Sequence, residues 1–364
     1  MNAFVIEAEK LHDNIKQIIA KAASRKIYAV IKGDGYGFGL CTYAKILVTC
    51  GINALAVTEP YEVAALREAG IDCEILMIRA TAIPGEIEEL LRHNAILTVG
   101  SNEDAVTING IAGRLGTKAK VHIKIDTGMG RYGYLLNDIE KIGAVYDYMD
   151  NIEPLGIYTH LNAAFGSKKK TLAQIESFKA LVAELKRRGY EAGCVHFANS
   201  SAFYRFSDMD FLDAVRIGSA FTGRIPYPCK TGLNRIGYLE SEICEIRWLE
   251  KGATVGYGGA YRAKSPKKIA IIPLGYSHGF GVEKIRDTYR FRDGVRYVLQ
   301  DIKRTLSGEK VYVTVNGKRA RVLGHIGMLH TVVDITDLTC KVGDNVQFKV
   351  NPLYVNANVV RKYI

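Results

Sequence analysis

Through the first two-thirds of the chain, short apolar runs end on groups able to do chemistry. In order these are Lys32, the loop Thr127–Arg131, His160, the pair Asn199-Ser200, and Arg216. Packing alone gives no reason for this repetition. Lys32 follows the apolar Tyr28–Ile31 directly. Burial of its stem disfavours the ammonium and leaves an amine suited to nucleophilic attack or a Schiff base. The plain alternative is a lysine whose stem lies along apolar surface while its head reaches water. Next comes Gly33-Asp34-Gly35-Tyr36-Gly37-Phe38-Gly39, a glycine-rich turn whose bare N–H groups suit a phosphate. It is neither a Gly-Lys-Ser/Thr nucleotide loop nor a dinucleotide fingerprint with an acidic residue at the right distance. His160 has no second histidine or carboxylate at ligand spacing, so no metal is expected. Further along, Gly256-Tyr257-Gly258-Gly259 presents one tyrosine on a turn.

The elements that would position these groups are regular. Ala8 to Lys21 places Leu11, Ile15, Ile18 and Ile19 at helical spacing. Eight β-rich segments then alternate with helical patterns: Ile27–Ile31, Ala54–Thr58, Glu74–Ile78, Ala95–Val99, Ala119–Ile125, Leu155–His160, Cys194–Ala198 and Leu212–Ile217. Pro60 to Ala69 and Thr171 to Arg188 are the clearest helices between them, with Gly70 and Gly189 where a left-handed C-cap is needed. An open doubly wound sheet carries the same beat, but a count of eight predicts a (β/α)8 TIM-like barrel. The candidate groups would then share its C-terminal face. Ser200 and Arg216-Ile217-Gly218-Ser219, after the seventh and eighth strands, stand where barrels commonly bind phosphate.

From about residue 236 the texture changes. Ser241–Leu249, Lys268–Pro273, Lys310–Val315, Arg319–Leu323, Thr331–Ile335 and Asn345–Val350 read as strands without helices between them, and Asn316-Gly317 is a hairpin turn. The expected organisation is a barrel over 1–235 and a C-terminal mainly-β domain over 236–364. Residues 281–307 read as a charged insertion with apolar anchors.

The bulk numbers agree with a globular enzyme. The chain has 364 residues, 48% hydrophobic and 24% charged. No apolar run is long enough to span a membrane and no signal peptide is visible, so a cytoplasmic protein is expected. Seven cysteines lie scattered without a C-x-x-C pair, which fits free thiols. The net charge of +11 is spread along the chain; the one run, Lys168-Lys169-Lys170, reads as a solvated loop. No element interleaves aromatic and basic residues as a nucleic-acid binder would. Anionic small molecules suit the charge better.

Ordered motifs carry a family resemblance. Ala29-Val30-Ile31-Lys32-Gly33-Asp34-Gly35-Tyr36-Gly37 resembles the cofactor-lysine motif of alanine racemases. The likeness continues through Lys124–Arg131, Thr159-His160, His196–Ser200 and Val215–Gly218, then Val255–Gly258, Ile272–Tyr276 and Gly324–Met328. It implies a pyridoxal-phosphate enzyme acting on a small amino acid, and a homodimer whose active sites draw on both subunits. Lys32 would hold the cofactor as a Schiff base and serve as one base; Tyr257 of the partner chain would be the other. Tyr36, Ser200, and the backbone of Gly218 and Ser219 would hold the phosphate, and Asn199 would also bind the cofactor. Arg216 would face the pyridine nitrogen, supported by His160. Arg131, Met328 and Tyr276 would meet the substrate, and Lys124 would be a carbamylated lysine that orients Arg131. Racemisation needs bases on both faces of the α-carbon, and an arginine at the ring nitrogen weakens the electron sink, which discourages side reactions.

The chain departs from the family at three places. Leu329 follows Met328 where an aspartate is usual. The family's C-terminal phosphate-binding tyrosine has no aligned counterpart, Tyr354 being the nearest. The third departure is the 281–307 insertion. Together they predict a gate that admits serine or something larger besides alanine. The racemase half of membrane-anchored serine/alanine racemases is similar too. Two rival readings are a non-catalytic pyridoxal-phosphate carrier, which would lack the β domain, and a decarboxylase on the same plan, which would want a glutamate where Arg216 stands.

Overall fold

The computed structural model describes residues 1–207, 209–227, 229–286 and 289–364. The chain forms two compact units, one of Ala8–Ile236 and one of Met1–Glu7 with Gly237–Ile364.

In the larger unit all eight anticipated strands form, and each pairs with its neighbours in parallel. Their order is Glu74–Met77, Ala54–Val57, Lys26–Val30, Ala214–Ile217, Cys194–Asn199, Ile152–Thr159, Ala119–Asp126 and Leu97–Val99. The ends of this sheet meet at a parallel bridge between Leu76 and Ile96. There the Met77 N–H donates to the Ile96 carbonyl and the Ile96 N–H to that of Ile75, both at 2.8 Å. Eight parallel strands thus close on themselves as a TIM-like barrel. Helices intervene as the periodicity predicts: Ala8–Ala22 buries Leu11, Ile15 and Ile18, and Pro60–Glu68 ends beside Gly70 at φ 79°. Lys168-Lys169-Lys170 is not a loop but the exposed first turn of helix Lys168–Arg187, capped by the Ser167 hydroxyl.

The barrel interior is apolar on one side and polar on the other. Tyr28, Val30, Ala54, Ala56, Leu76 and Ile96 pack together. His122, Lys124, His196 and Arg216 are also buried, because inward-facing positions alternate along each strand and these four occupy them.

The second unit is a nine-stranded sheet. Its order is Glu245–Leu249, Lys267–Ile272, Thr331–Asp334, Lys318–Val322, Tyr312–Val315, Asn345–Phe348, Tyr238–Glu242, Ala3–Ile6 and Val360–Tyr363. The segment Ser241–Leu249 is two strands rather than one, broken after Glu242. Asn316 and Gly317 both have positive φ, 46° and 78°, as a two-residue hairpin turn requires. Ala3–Ile6, four buried apolar residues, pairs antiparallel with Tyr238–Glu242 and parallel with Val360–Tyr363. The first residues of the chain therefore belong to the C-terminal sheet. The insertion contains helix Phe291–Ser307; its residues 287 and 288 lie outside the described residues.

Candidate active site

The backbone after Lys32 turns left-handed. Gly33, Asp34, Gly35 and Tyr36 have φ of 63°, 54°, 63° and 57°, a conformation that only glycine adopts without cost. Glycine at 33 and 35 is thus explained, while Asp34 and Tyr36 are strained. The Asp34 carboxylate offsets part of this by accepting the Leu40 N–H at 3.0 Å. Burial lowers the Lys32 amine below its usual range, the Arg131 charge lowers it further, and the Glu62 carboxylate works in the opposite direction.

The turn carries Tyr36 to the end of the eighth strand. A Cβ on Gly218 would lie 2.6 Å from the Tyr36 hydroxyl, so the ring occupies the space that glycine leaves. Beside it the buried Ser200 hydroxyl accepts the N–H groups of Gly218 at 3.1 Å and Ala220 at 3.3 Å. A phenol, a hydroxyl and backbone amides after the last two strands make a cradle suited to an anion. Asn199 has a local task there. Its side-chain oxygen accepts the Ala202 N–H at 3.0 Å and caps helix Ser200–Arg205.

Arg216 is 3% exposed, and its bonds run to carbonyls and imidazoles. It donates to the Thr159 carbonyl at 2.7 Å and to His196 Nδ1 at 2.6 Å, and stands 3.4 Å from His160 Nδ1. Burial pulls its guanidinium down to about 10. An arginine can only donate, so His196 Nδ1 accepts and its proton sits on Nε2. That nitrogen lies 2.8 Å from His122 Nδ1, which must then accept in turn. The Tyr158 ring stacks on His196 with centroids 4.9 Å apart and planes 7° from parallel. His122 and His196 escape a reading of strand ends, since both lie deeper in the barrel; their inward register on alternating strands is the signal that would have found them.

Positive groups converge on His160. Burial and then the charges of Arg216, Lys124, Arg131 and Lys32 depress its pKa to about 3. Lys124 is 3% exposed and falls to about 7, first through burial, then through Arg216 and Arg131. Its amine stands 5.4 Å from the Tyr132 ring and 5.5 Å from that of Tyr158. The Thr127–Arg131 loop is built on Asp126, whose carboxylate accepts the N–H groups of Gly128 at 2.9 Å, Met129 at 2.7 Å and Arg131 at 3.1 Å. Among the described residues, no cluster of three or more His, Cys, Asp or Glu is placed to hold a metal.

The smaller unit gathers its own candidates along one loop. Tyr257, 86% exposed, opens the 3-10 turn Tyr257–Gly259 between strands Thr254–Val255 and Tyr261–Arg262. A Cβ on Gly324 would lie 2.7 Å from the Val255 carbonyl, and one on Gly275 would lie 2.1 Å from that of Gly327. The Tyr276 N–H donates to the Gly327 carbonyl and the Ser277 N–H to that of Met328, both at 3.0 Å. Tyr257, Tyr276 and Met328 are thereby brought to the rim of the Gly324–Met328 loop, all three exposed. Tyr354 lies beside the Tyr276 turn, its carbonyl 2.4 Å from where a Cβ on Gly279 would sit.

Comparison with known proteins identifies the family. A family model described as alanine racemase, N-terminal domain, matches residues 6–226, and one described as alanine racemase, C-terminal domain, matches 236–352. An alanine racemase of Methylacidiphilum infernorum is 34% identical over 347 residues, 93% of this chain and 81% of the relative. One from Methanococcus maripaludis is 31% identical over 349 residues, 93% and 86%. Among solved structures, alanine racemase of Clostridium difficile 630 superposes with a TM-score of 0.86 at 28% identity, covering 100% of this chain and 95% of that one. The alanine racemase of Bacillus anthracis with bound L-Ala-P gives 0.82 at 25% identity, covering 100% and 95%.

Proposed function

This chain belongs to the alanine racemase family of amino-acid racemases, and from that premise we propose that it interconverts the enantiomers of a small amino acid, alanine or one slightly larger, with pyridoxal phosphate as cofactor. The observation that carries the proposal is the buried Arg216, bonded to carbonyls and imidazoles, beside a cradle formed by Tyr36, Ser200 and Gly218. Such a cationic pocket next to an anion seat fits a phosphorylated pyridine. Tyr36, Ser200 and the backbone of Gly218 and Ser219 would hold the phosphate, with Asn199 keeping the Ser200 helix in place. Arg216 would donate to the ring nitrogen, and His160 would flank the ring. When bound, the cofactor supplies the electron sink that acidifies the substrate's α-hydrogen.

The chain's residues do the rest. Lys32 would hold the cofactor through its amine and, when its amine is free, would take or return a proton on one face. Burial and the Arg131 charge lower the amine below the usual lysine range, which favours its use as a base. Tyr257 of a partner subunit does the same on the other face. Arg131 binds the substrate carboxylate, assisted by the backbone of Met328, and Tyr276 lines the entrance. Lys124, lowered to about 7 by burial and then by Arg216 and Arg131, is a competent amine for reaction with carbon dioxide, and the resulting carbamate would orient Arg131. His196 and His122, locked in neutral tautomers, keep Arg216 a fixed donor that leaves the ring nitrogen unprotonated.

We assign cofactor binding to the barrel unit over 8–236, and the trans tyrosine and gate to the β unit of 1–7 with 237–364, in place of the expected division at 235. A β unit that displays Tyr257 separates this reading from a single-barrel carrier, and Arg216 separates it from a decarboxylase. The seven free cysteines fit the cytoplasm, where we place the homodimer. Leu329 and Tyr354 favour a gate wider than alanine needs. Circular-dichroism detection of racemisation, over a panel of L-amino acids with Lys32→Ala and Tyr257→Phe as controls, tests the proposal. Turnover of alanine or serine suppressed by both substitutions is expected. Turnover that survives Lys32→Ala would overturn it.

A further inference from the structure

One carboxylate holds the turn after Lys32 from outside. Glu62 is fully buried in the first turn of helix Pro60–Glu68. One of its oxygens accepts the Gly33 N–H at 2.7 Å. The other accepts the Thr58 N–H at 2.9 Å and the Glu59 N–H at 3.1 Å. The Glu59 bond is half of a capping box. The Gly33 bond is not needed to start a helix, because it leaves the helix and reaches the residue next to Lys32. Thr58 follows strand Ala54–Val57, which pairs with Lys26–Val30. Glu62 therefore ties together the C-terminal ends of two adjacent barrel strands.

The turn needs such an anchor. Two of its five left-handed residues, Asp34 and Tyr36, carry side chains that this conformation crowds. Its internal bonds, Gly35 N–H to the Ile31 carbonyl and Gly37 N–H to that of Asp34, both at 2.9 Å, close it on itself. The Gly33 bond fixes it against the neighbouring strand. Glu62 also brings a negative charge to a region where Lys32, Lys124, Arg131 and Arg216 are all positive or able to become so.

We propose that Glu62 is a positioning residue for Lys32: its carboxylate pins the Gly33 amide to the end of the next strand, fixing the left-handed turn and the direction of the lysine amine, and it balances the cationic surroundings of that amine. The inference rests on Lys32 being the cofactor-bearing base. Glutamine matches glutamate in size, but it has one accepting oxygen and a donating NH2. It cannot serve Gly33 on one side and Thr58 with Glu59 on the other. Aspartate keeps the charge and the helix cap but falls one methylene short of Gly33.

The test reads Lys32 in the apoprotein by competitive acylation with acetic anhydride across pH, quantifying the modified peptide by mass spectrometry. Steady-state kinetics and Tm are measured alongside. In Glu62→Gln the acylation midpoint of Lys32 is expected to fall by about half a pH unit or more. Its kcat is expected to fall roughly ten- to a hundredfold with KM little changed. Glu62→Asp should keep the midpoint and lose kcat. A Glu62→Gln protein with wild-type midpoint and kcat but a lowered Tm overturns the proposal and leaves Glu62 a helix cap. If Glu62→Gln does not fold, a folded Glu62→Asp with wild-type kcat overturns it as well. Racemisation that survives Lys32→Ala refutes the functional reading instead, whatever the Glu62 variants do.

Discussion

The Tyr36 hydroxyl stands 2.6 Å from the point where Gly218 would carry a Cβ. Each residue defines the other's place. A ring delivered by a left-handed turn after the first barrel strand fills space that only glycine leaves open after the eighth.

Gly218→Ala is therefore expected to push the phenol out of the cradle while sparing the barrel. Pyridoxal-phosphate affinity, read by absorbance titration of the apoprotein, should fall about tenfold or more, as loss of a hydrogen bond to a charged group predicts. Affinity within twofold of wild type would show that Tyr36 plays no part in phosphate binding.

Sharing of the site between subunits has a mixing test. If Tyr257 acts across the dimer, a heterodimer of Lys32→Ala and Tyr257→Phe chains holds one site with both bases intact. Equal amounts of the two inactive proteins, unfolded together and refolded, should recover about a quarter of the wild-type rate, since half the dimers are mixed and each has one good site. No recovery would place both bases in one chain.

Acid sensitivity follows from the buried imidazoles. Burial depresses His122 and His160 from 6.5 to about 3 and lowers His196 well below its ordinary value. Between pH 6.5 and 3 the unfolded chain binds protons at these positions and the folded chain does not, so stability rises with pH through this window and is lost on acidification. Each histidine contributes a slope of about 1.4 kcal/mol per pH unit there. Denaturant midpoints at pH 6.5 and 5, where ordinary carboxylates are still ionised, should show the fall, and His122→Phe should flatten it. An unchanged slope in that variant would mean that His122 is not neutral in the fold.

Lys124 should take up carbon dioxide. With its amine near 7, carbon-13 bicarbonate at pH 8 is expected to give a carbamate resonance that disappears in Lys124→Ala. The same substitution should raise KM more than it lowers kcat, because it acts through Arg131. A carbamate signal that persists in Lys124→Ala would assign the modification elsewhere.

Much of this protein was legible locally. Buried parallel strands are short apolar runs, helices between them have their own period, and a polar residue closing a run marks the barrel's C-terminal face. Lys32, His160, Ser200 and Arg216 were found that way, and Asn316-Gly317 marked its hairpin because only a few residues tolerate two positive φ values in succession. What the local pattern lacks is the identity of partners distant along the chain. Ala3–Ile6 was not among the expected strands; it becomes one because Tyr238–Glu242 and Val360–Tyr363 flank it. The bonds from Arg216 through His196 to His122 join three strands, and nothing in the spacing of those residues ranks them above other buried polar groups. The left-handed turn after Lys32 was foreseeable as glycine-rich but not as left-handed, because its direction is fixed by Glu62, 29 residues away. Sequence by itself determined which elements form and which residues stand at their ends; folding decided which of those ends meet, since burial and hydrogen bonding act between neighbours in space.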